Sequence, residues 1–297
     1  MKQNYEIAIK PARKQRSARA EIWRNFKRNR GAIIGLAILG TIVFLAIASE
    51  FIFDYDTQVV RQRVSERLQG PSLKYPLGTD QYGRDIMTRI IYGARFSLSV
   101  GIVAVMVSLA VGATLGLVAG FYGGVIENLI MRVSDVFGSI PSILLAITIS
   151  AAFGQSMFVL MVSVGIVSVP AFARVARAAA MTVRDQEYIE AARAAGARDW
   201  QIIAYHVIPN SMAPILVQCT MRVASAIIAA SSLSFLGLGV PLPAPEWGAM
   251  LSEGRGFIRN YSYMTLFPGL AIMITVLAIN LIGDGLRDAM DPKLKRR

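Results

Sequence analysis

The chain has 297 residues, 54% of them hydrophobic and only 17% charged, whereas soluble domains carry about 25% charged residues. So much apolar surface needs lipid to cover it, which excludes an ordinary water-soluble enzyme. The formal charge of +12 would suit nucleic acid, but the basic residues gather at the ends of apolar runs instead of among stacking aromatics, so lipid headgroups are the expected partner and nucleic acid is not.

Apolar runs of about 20 residues, each able to cross a hydrocarbon core of about 30 Å, recur six times. The expected fold is an all-α polytopic membrane protein with six transmembrane helices. Residues 1–30 form a basic tail with ten Lys and Arg, and 31–50 form the first span. Ala46-Ile47-Ala48 imitates a signal cleavage site, yet the basic and apolar regions are both too long for a leader, so the span is expected to be retained. Residues 51–95 are an external mixed-charge segment, and 96–283 form the transmembrane core. Within it, the second span covers Ser97 to Gly120. The third, Val125 to Ala152, should kink or break at Pro141. The fourth runs from Met157 to Ala180, interrupted by Pro170, and a polar loop occupies about 182–210. Spans five and six cover Ser211 to Leu238 and Tyr263 to Ile282, leaving a basic tail at 284–297. The segments on the side of the termini collect 20 Lys and Arg against 9 on the other side. By the positive-inside bias both termini are therefore cytoplasmic.

The loop at 182–210 reads as two short helices. Asp185 and Glu187 suit a helix N-terminus, Arg193 its last turn, and Gly196 a left-handed C-cap. Asp199 is expected to cap the second helix and Pro209-Asn210 to close it. A helix of about 11 residues is marginal alone, so the first should pack on something. Ala191, Ala192, Ala194 and Ala195 leave a slim shaft able to enter a groove, with Glu190 and Arg193 as polar contacts. Such a segment is a coupling element.

Glu190-Ala191-Ala192, then Gly196, then Ile208-Pro209 resembles the EAA loop of ATP-binding-cassette (ABC) importer permeases. His206 stands where the general pattern has an aliphatic residue, which resembles the peptide and nickel branch. Leu77 to Asp85, with Tyr92-Gly93-Ala94-Arg95, is similar to the segment before the second span of C-type dipeptide and oligopeptide permeases. Phe235 to Gly239, Pro245 to Leu251, and Gly283 to Ala289 with Asp291-Pro292 extend the likeness from about residue 20 to the end.

The resemblance implies a type I importer permease fold, with Glu190, Ala191, Ala192, Arg193 and Gly196 coupling to an ATPase. It also implies a B-type permease subunit as heterodimer partner, two cytoplasmic ATPases, an external peptide-binding protein and a peptide substrate. None of the seven lysines follows a glycine, so no phosphate-binding G-x-x-x-x-G-K-[ST] loop can be written. No cofactor is expected on this chain: ATP and Mg belong to the partner ATPases, and the chain itself is not an enzyme. Nickel, glutathione or antimicrobial-peptide uptake stay open, since selectivity largely rests on the external binding protein. An ion-driven secondary transporter would show inverted repeats, which are not evident. An intramembrane enzyme would need a paired nucleophile and base or a metal cluster; the single His206 and the single Cys219 supply neither, nor a disulfide.

His206 alone reads as a packing or docking residue. Gly78 to Asp85 reads as a structural turn whose acids are matched by Arg84, Arg89 and Arg95. Arg132 and Asp135, three residues apart, suggest a local pair beside Glu127. Arg222 falls near the middle of span five and has two readings: an ion pair with Asp135 or Glu127, or a path-lining cation facing peptide carboxylates. The Pro-rich loop with Glu246, Trp247 and Glu253 is an outer gate, a docking surface for the binding protein, or an interfacial loop anchored by Trp247.

Overall fold

A computed structural model describes residues 18–290. The basic residues Lys2, Lys10, Arg13, Lys14 and Arg16, and everything from Asp291 onward, lie outside it. Among the described residues there is no strand, only one isolated bridge between Thr79 and Asp85.

Helix α1 (Ala18–Arg28) ends at Asn29, whose side chain accepts a hydrogen bond from the Ala32 amide and so starts α2 (Arg30–Ile52). The sequence of α2 is apolar all round, as lipid requires: Ile34, Phe44 and Phe51 are exposed, while small residues bury against the protein. A Cβ placed on Gly35 would stand 2.6 Å from the Ala278 carbonyl oxygen, so this glycine sets how closely α2 approaches α12 (Tyr263–Met290).

The second span is longer than the sequence implied. Helix α3 (Ile86–Ser108), a π turn (Leu109–Ala113) and α4 (Thr114–Tyr122) form one rod of 37 residues. It begins ten residues before 96 because Asp85 accepts hydrogen bonds from the Met87 and Thr88 amides, and because the charge of Arg89, in the first turn, is paired. Gly112, Gly116 and Gly120 line one face at four-residue spacing. Cβ atoms there would meet the carbonyl oxygens of Val169, Ala173 and Arg177 at 2.5, 2.2 and 2.5 Å. This glycine stripe lets the rod lie directly on α7 (Met157–Arg184).

Pro141 does break the third span: α5 (Gly124–Ser139) and α6 (Ser142–Phe153) meet at 88°. Pro170, expected to interrupt the fourth span, does not. Helix α7 runs through it, because neighbouring helices in a bundle hold a proline-containing turn together. The loop beyond contains α8 (Glu187–Ala194) and α9 (Asp199–Ile202). Pro209 does not end the second loop helix either. A π turn (Ile203–Val207) carries α9 straight into α10 (Ile208–Phe235), and Pro209 sits just after it, where the regular hydrogen-bond ladder is already interrupted and its missing amide is tolerated. Asp199 is the first helical residue and not the cap; Arg198 precedes it, its amide donating to the Gln201 side chain. Helix α12 likewise outruns its expected end at Ile282. Asp284 to Met290 stay helical because Leu286 and Ala289 pack with Phe26 and Ala32, and Asn29 donates to Asp288.

Five helices are long and apolar enough to cross a membrane, and the bent α5–α6 pair supplies a sixth. One end of the bundle, the handle end, gathers α1, α8, α9 and the end of α12. The opposite end holds residues 53–85 and α11 (Trp247–Gly254).

Candidate functional site

At the handle end, α8 starts after Gln186 and finishes in a Schellman turn. The Ala197 amide donates to the Ala192 carbonyl and the Gly196 amide to that of Arg193, with Gly196 at φ +86°. Ile189, Ile202 and Val207 are buried and seat the two short helices on Phe121, Ala180 and Val183. The Arg193 guanidinium lies 5.3 Å from the centre of the Phe121 ring, and half-buried Ala192 joins the same cluster. Glu187, Tyr188, Glu190, Ala191, Ala194 and Ala195 face outward. The five residues singled out here, Glu190, Ala191, Ala192, Arg193 and Gly196, thus form one projecting knob with a buried isoleucine root. His206 packs 6.1 Å from the Tyr188 ring, and no metal-binding group of side chains occurs among the described residues.

Arg222 is half-buried in α10, 14 residues from its first residue Ile208, which is roughly 21 Å at 1.5 Å per residue. The ion pair with Asp135 or Glu127 is not formed. Asp135 accepts from Arg174 at 3.4 Å and Glu127 accepts from Arg177 Nε at 2.6 Å, both on α7, which crosses α5 where α10 does not. For the same reason Asp135 does not pair with Arg132. Arg222 makes no hydrogen bond or ion pair among the described residues. A bare cation at that depth costs about 2.5–3.5 kcal/mol even on the mild insertion scale. It opens instead into a cavity of about 420 Å³ between α6, α7 and α10, shared with Ser225 and Ser232.

At the opposite end, Arg84 and Arg89 clamp the turn at 78–85 to α11. Arg84 binds Asp80 (2.5 Å) and Glu253 (2.6 Å), and Arg89 binds the other oxygen of Glu253 at 2.9 Å. The turn is therefore structural, although Arg95 is engaged elsewhere, with Glu50. Glu246 caps α11 by accepting from the Gly248 and Ala249 amides. Trp247 is not an interfacial anchor: it is 2% exposed, and its indole donates to the Ile90 carbonyl at 3.0 Å. The wide apolar ring is better buried in protein than left at the headgroups. Three signals went unread in the sequence: the glycine stripe at 112, 116 and 120, the pairing of Glu253 with two arginines 169 and 164 residues away, and the serines on the Arg222 face. Only the first and last have a visible spacing.

Residues 112–296 match the family described as "Binding-protein-dependent transport system inner membrane component", and residues 17–71 match the "N-terminal TM domain of oligopeptide transport permease C". The chain is 47% identical over 275 residues to the dipeptide transport system permease protein DppC of Alkalihalophilus pseudofirmus, covering 93% of this chain and 90% of that one. It is 44% identical over 294 residues to the glutathione transport system permease protein GsiD of Pectobacterium atrosepticum, covering 97% of each. The di/tripeptide permease DppC of Pseudomonas aeruginosa matches at 44% identity over 93% of this chain and 92% of its own length. An inward-facing structure of the MetNI methionine ABC transporter superposes on 69% of this chain and 98% of its own with a TM-score of 0.58 at 19% identity, a likeness of fold. The coupling-loop motif, the six-span bundle and these matches together place the chain among the inner-membrane permeases of binding-protein-dependent ABC importers, in the C-type peptide branch.

Proposed function

We propose that the chain is the C-type half of an ATP-driven importer that moves dipeptides or short oligopeptides across the cytoplasmic membrane. The near-full-length likeness to permeases named for dipeptides carries this reading. Its partners are a B-type permease subunit, two cytoplasmic ATPases and an external peptide-binding protein. The knob at Glu190, Ala191, Ala192, Arg193 and Gly196 lies on the cytoplasmic face with both termini and enters a groove on the ATPase. ATP closure of the ATPases then rocks the two permease subunits between inward-open and outward-open states. Arg222 lines the substrate path. Glutathione uptake is the second reading, favoured by the relative matched over 97% of both chains.

The test is co-purification of the tagged chain from its host membrane, followed by identification of the ligand held by the binding protein that accompanies it. Two ATPases, a second permease and a dipeptide-loaded binding protein are the expected result, and a glutathione-loaded one selects the second reading. For orientation, Cys219→Ala with Ala195→Cys should react with a membrane-impermeant thiol reagent only in inside-out vesicles. Reaction in intact cells would put the knob outside and defeat the coupling role.

A further inference from the structure

We propose that the peptide crosses carboxylate first, its C-terminal carboxylate held by Arg222 and its amino end trailing along the α10 wall. The inference rests on the reading of the chain as a peptide permease and adds a polarity that the reading lacks. Arg222, Ser225, Ala229 and Ser232 share one face of α10 at 3.6 residues per turn, and all four line the 420 Å³ cavity. That size falls within the range of about 300–1,000 Å³ typical of small-molecule sites. Among the described residues, no Asp or Glu lines the cavity, and Arg222 has no hydrogen-bond or ion-pair partner. The wall therefore offers positive charge with no counter-ion among the described residues, which calls for a carboxylate from the substrate.

The other polar groups on the wall have the opposite character. The Ser232 hydroxyl donates to the Ile228 carbonyl at 2.8 Å, and the Ser225 hydroxyl reaches the Met221 carbonyl at 3.4 Å. With their protons turned to the helix, both oxygens present lone pairs to the cavity, and these accept hydrogen bonds from peptide N–H or ammonium groups. Because α10 runs from the handle end to the opposite end, both serines stand on the far side of Arg222 from the handle. Ser225 lies roughly 4.5 Å along the helix from Arg222 and Ser232 roughly 15 Å. An extended dipeptide spans about 7 Å and a tripeptide about 10 Å. A peptide anchored at Arg222 thus brings its amino end between the two serines, and the reversed peptide would set its ammonium against the guanidinium.

The experiment uses the complete transporter in liposomes, with its binding protein fully loaded with either Ala-Ala or Ala-Ala amide. Uptake is measured for wild type, Arg222→Gln and Arg222→Lys, and assembly is checked by co-purification of the other subunits. Arg222→Gln should lower uptake of Ala-Ala about ten- to hundredfold, the worth of a charged hydrogen bond. Uptake of the amide should stay within about twofold of wild type, and Arg222→Lys should restore most of the Ala-Ala uptake by keeping the point charge. Equal loss with both substrates, or no loss with either, overturns the assignment while leaving the peptide-permease reading intact. A wild-type transporter that moves neither form overturns both.

Discussion

Replacing Glu253 by alanine removes the residue that joins two buried arginines on α3 and its preceding turn to α11. In the native protein Arg84 and Arg89 share the two oxygens of Glu253 and the single carboxylate of Asp80, with no side chain in the group more than 8% exposed. After Glu253→Ala, two guanidiniums face one acid, and the second charge has no water to solvate it. Breaking a buried pair in this way costs about 3–5 kcal/mol. For chains of roughly this size each kcal/mol moves the midpoint by about 2–4 °C, so the midpoint should fall by about 6–20 °C. Intrinsic tryptophan fluorescence during heating in detergent is a suitable assay, because Trp247 is buried on the same helix as Glu253 and donates to the Ile90 carbonyl, next in sequence to Arg89. Glu253→Gln, which keeps an acceptor oxygen but loses the charge, should fall between the two. A fall of less than about 2 °C for the alanine variant would refute the argument, showing that water reaches the arginines and the clamp is only geometric.

Gly116→Ala places a methyl group 2.2 Å from the Ala173 carbonyl oxygen. It should cost about 1–3 kcal/mol by forcing α4 off α7, read as a lower thermal midpoint; an unchanged midpoint would mean the helices do not touch there. Gly196→Val puts a β-branched residue at φ +86°, at a cost of about 1–2 kcal/mol or more. Peptide uptake should drop while the ATPase subunits alone stay active, and wild-type uptake would show that the knob tolerates a reshaped turn. Burial holds the Glu246 carboxyl above its ordinary value of 4.5 despite the amides it caps. Such an acid binds its proton more readily when folded, so its contribution is present at low pH and lost as pH climbs from the ordinary value through the raised one. Thermal scans run upward from the ordinary carboxylate range should show that decline in wild type and not in Glu246→Gln; parallel curves for the two would contradict it.

What the sequence revealed and what it hid divide along the range of the interactions. Six apolar runs, the break at Pro141 and the left-handed Gly196 are set by residues close in the chain, and all three could be read from composition and turn chemistry. Element ends were missed where a distant partner decided them. Helix α3 begins ten residues early with Arg89 in its first turn, a charge that Glu253 neutralises from 164 residues away. The same holds for charge pairing. Arg132 and Asp135 sit at helical spacing, yet Asp135 turns to Arg174 because α7 lies across α5. Arg222 was visible as a charge out of place, but its lack of a counter-ion needed the positions of Asp135 and Glu127. The glycine stripe was legible and went unread, since small residues at four-residue spacing are a packing signal that apolarity alone conceals.

Arg222 shares one continuous element with the loop helix that packs beside the knob. The second loop helix enters α10 through the π turn at 203–207 without a break, so Asp199 to Phe235 form a single rod of 37 residues that starts beside the knob and carries Arg222. Ala113, from the π turn in the other long rod, and Val207, from this one, belong to the same apolar cluster as Ile189, the root of the knob. Such turns are weak points in long helices and gather at functional sites. On the proposed coupling, a push on the knob therefore reaches both rods where each is most easily turned. From Ile203 to Arg222 the lever is roughly 28 Å long, and a rotation of about 10° at its base sweeps the far end by roughly 5 Å. That is enough to carry the cationic wall past the length of one peptide residue, so the site proposed to hold the carboxylate is also the site that the lever displaces.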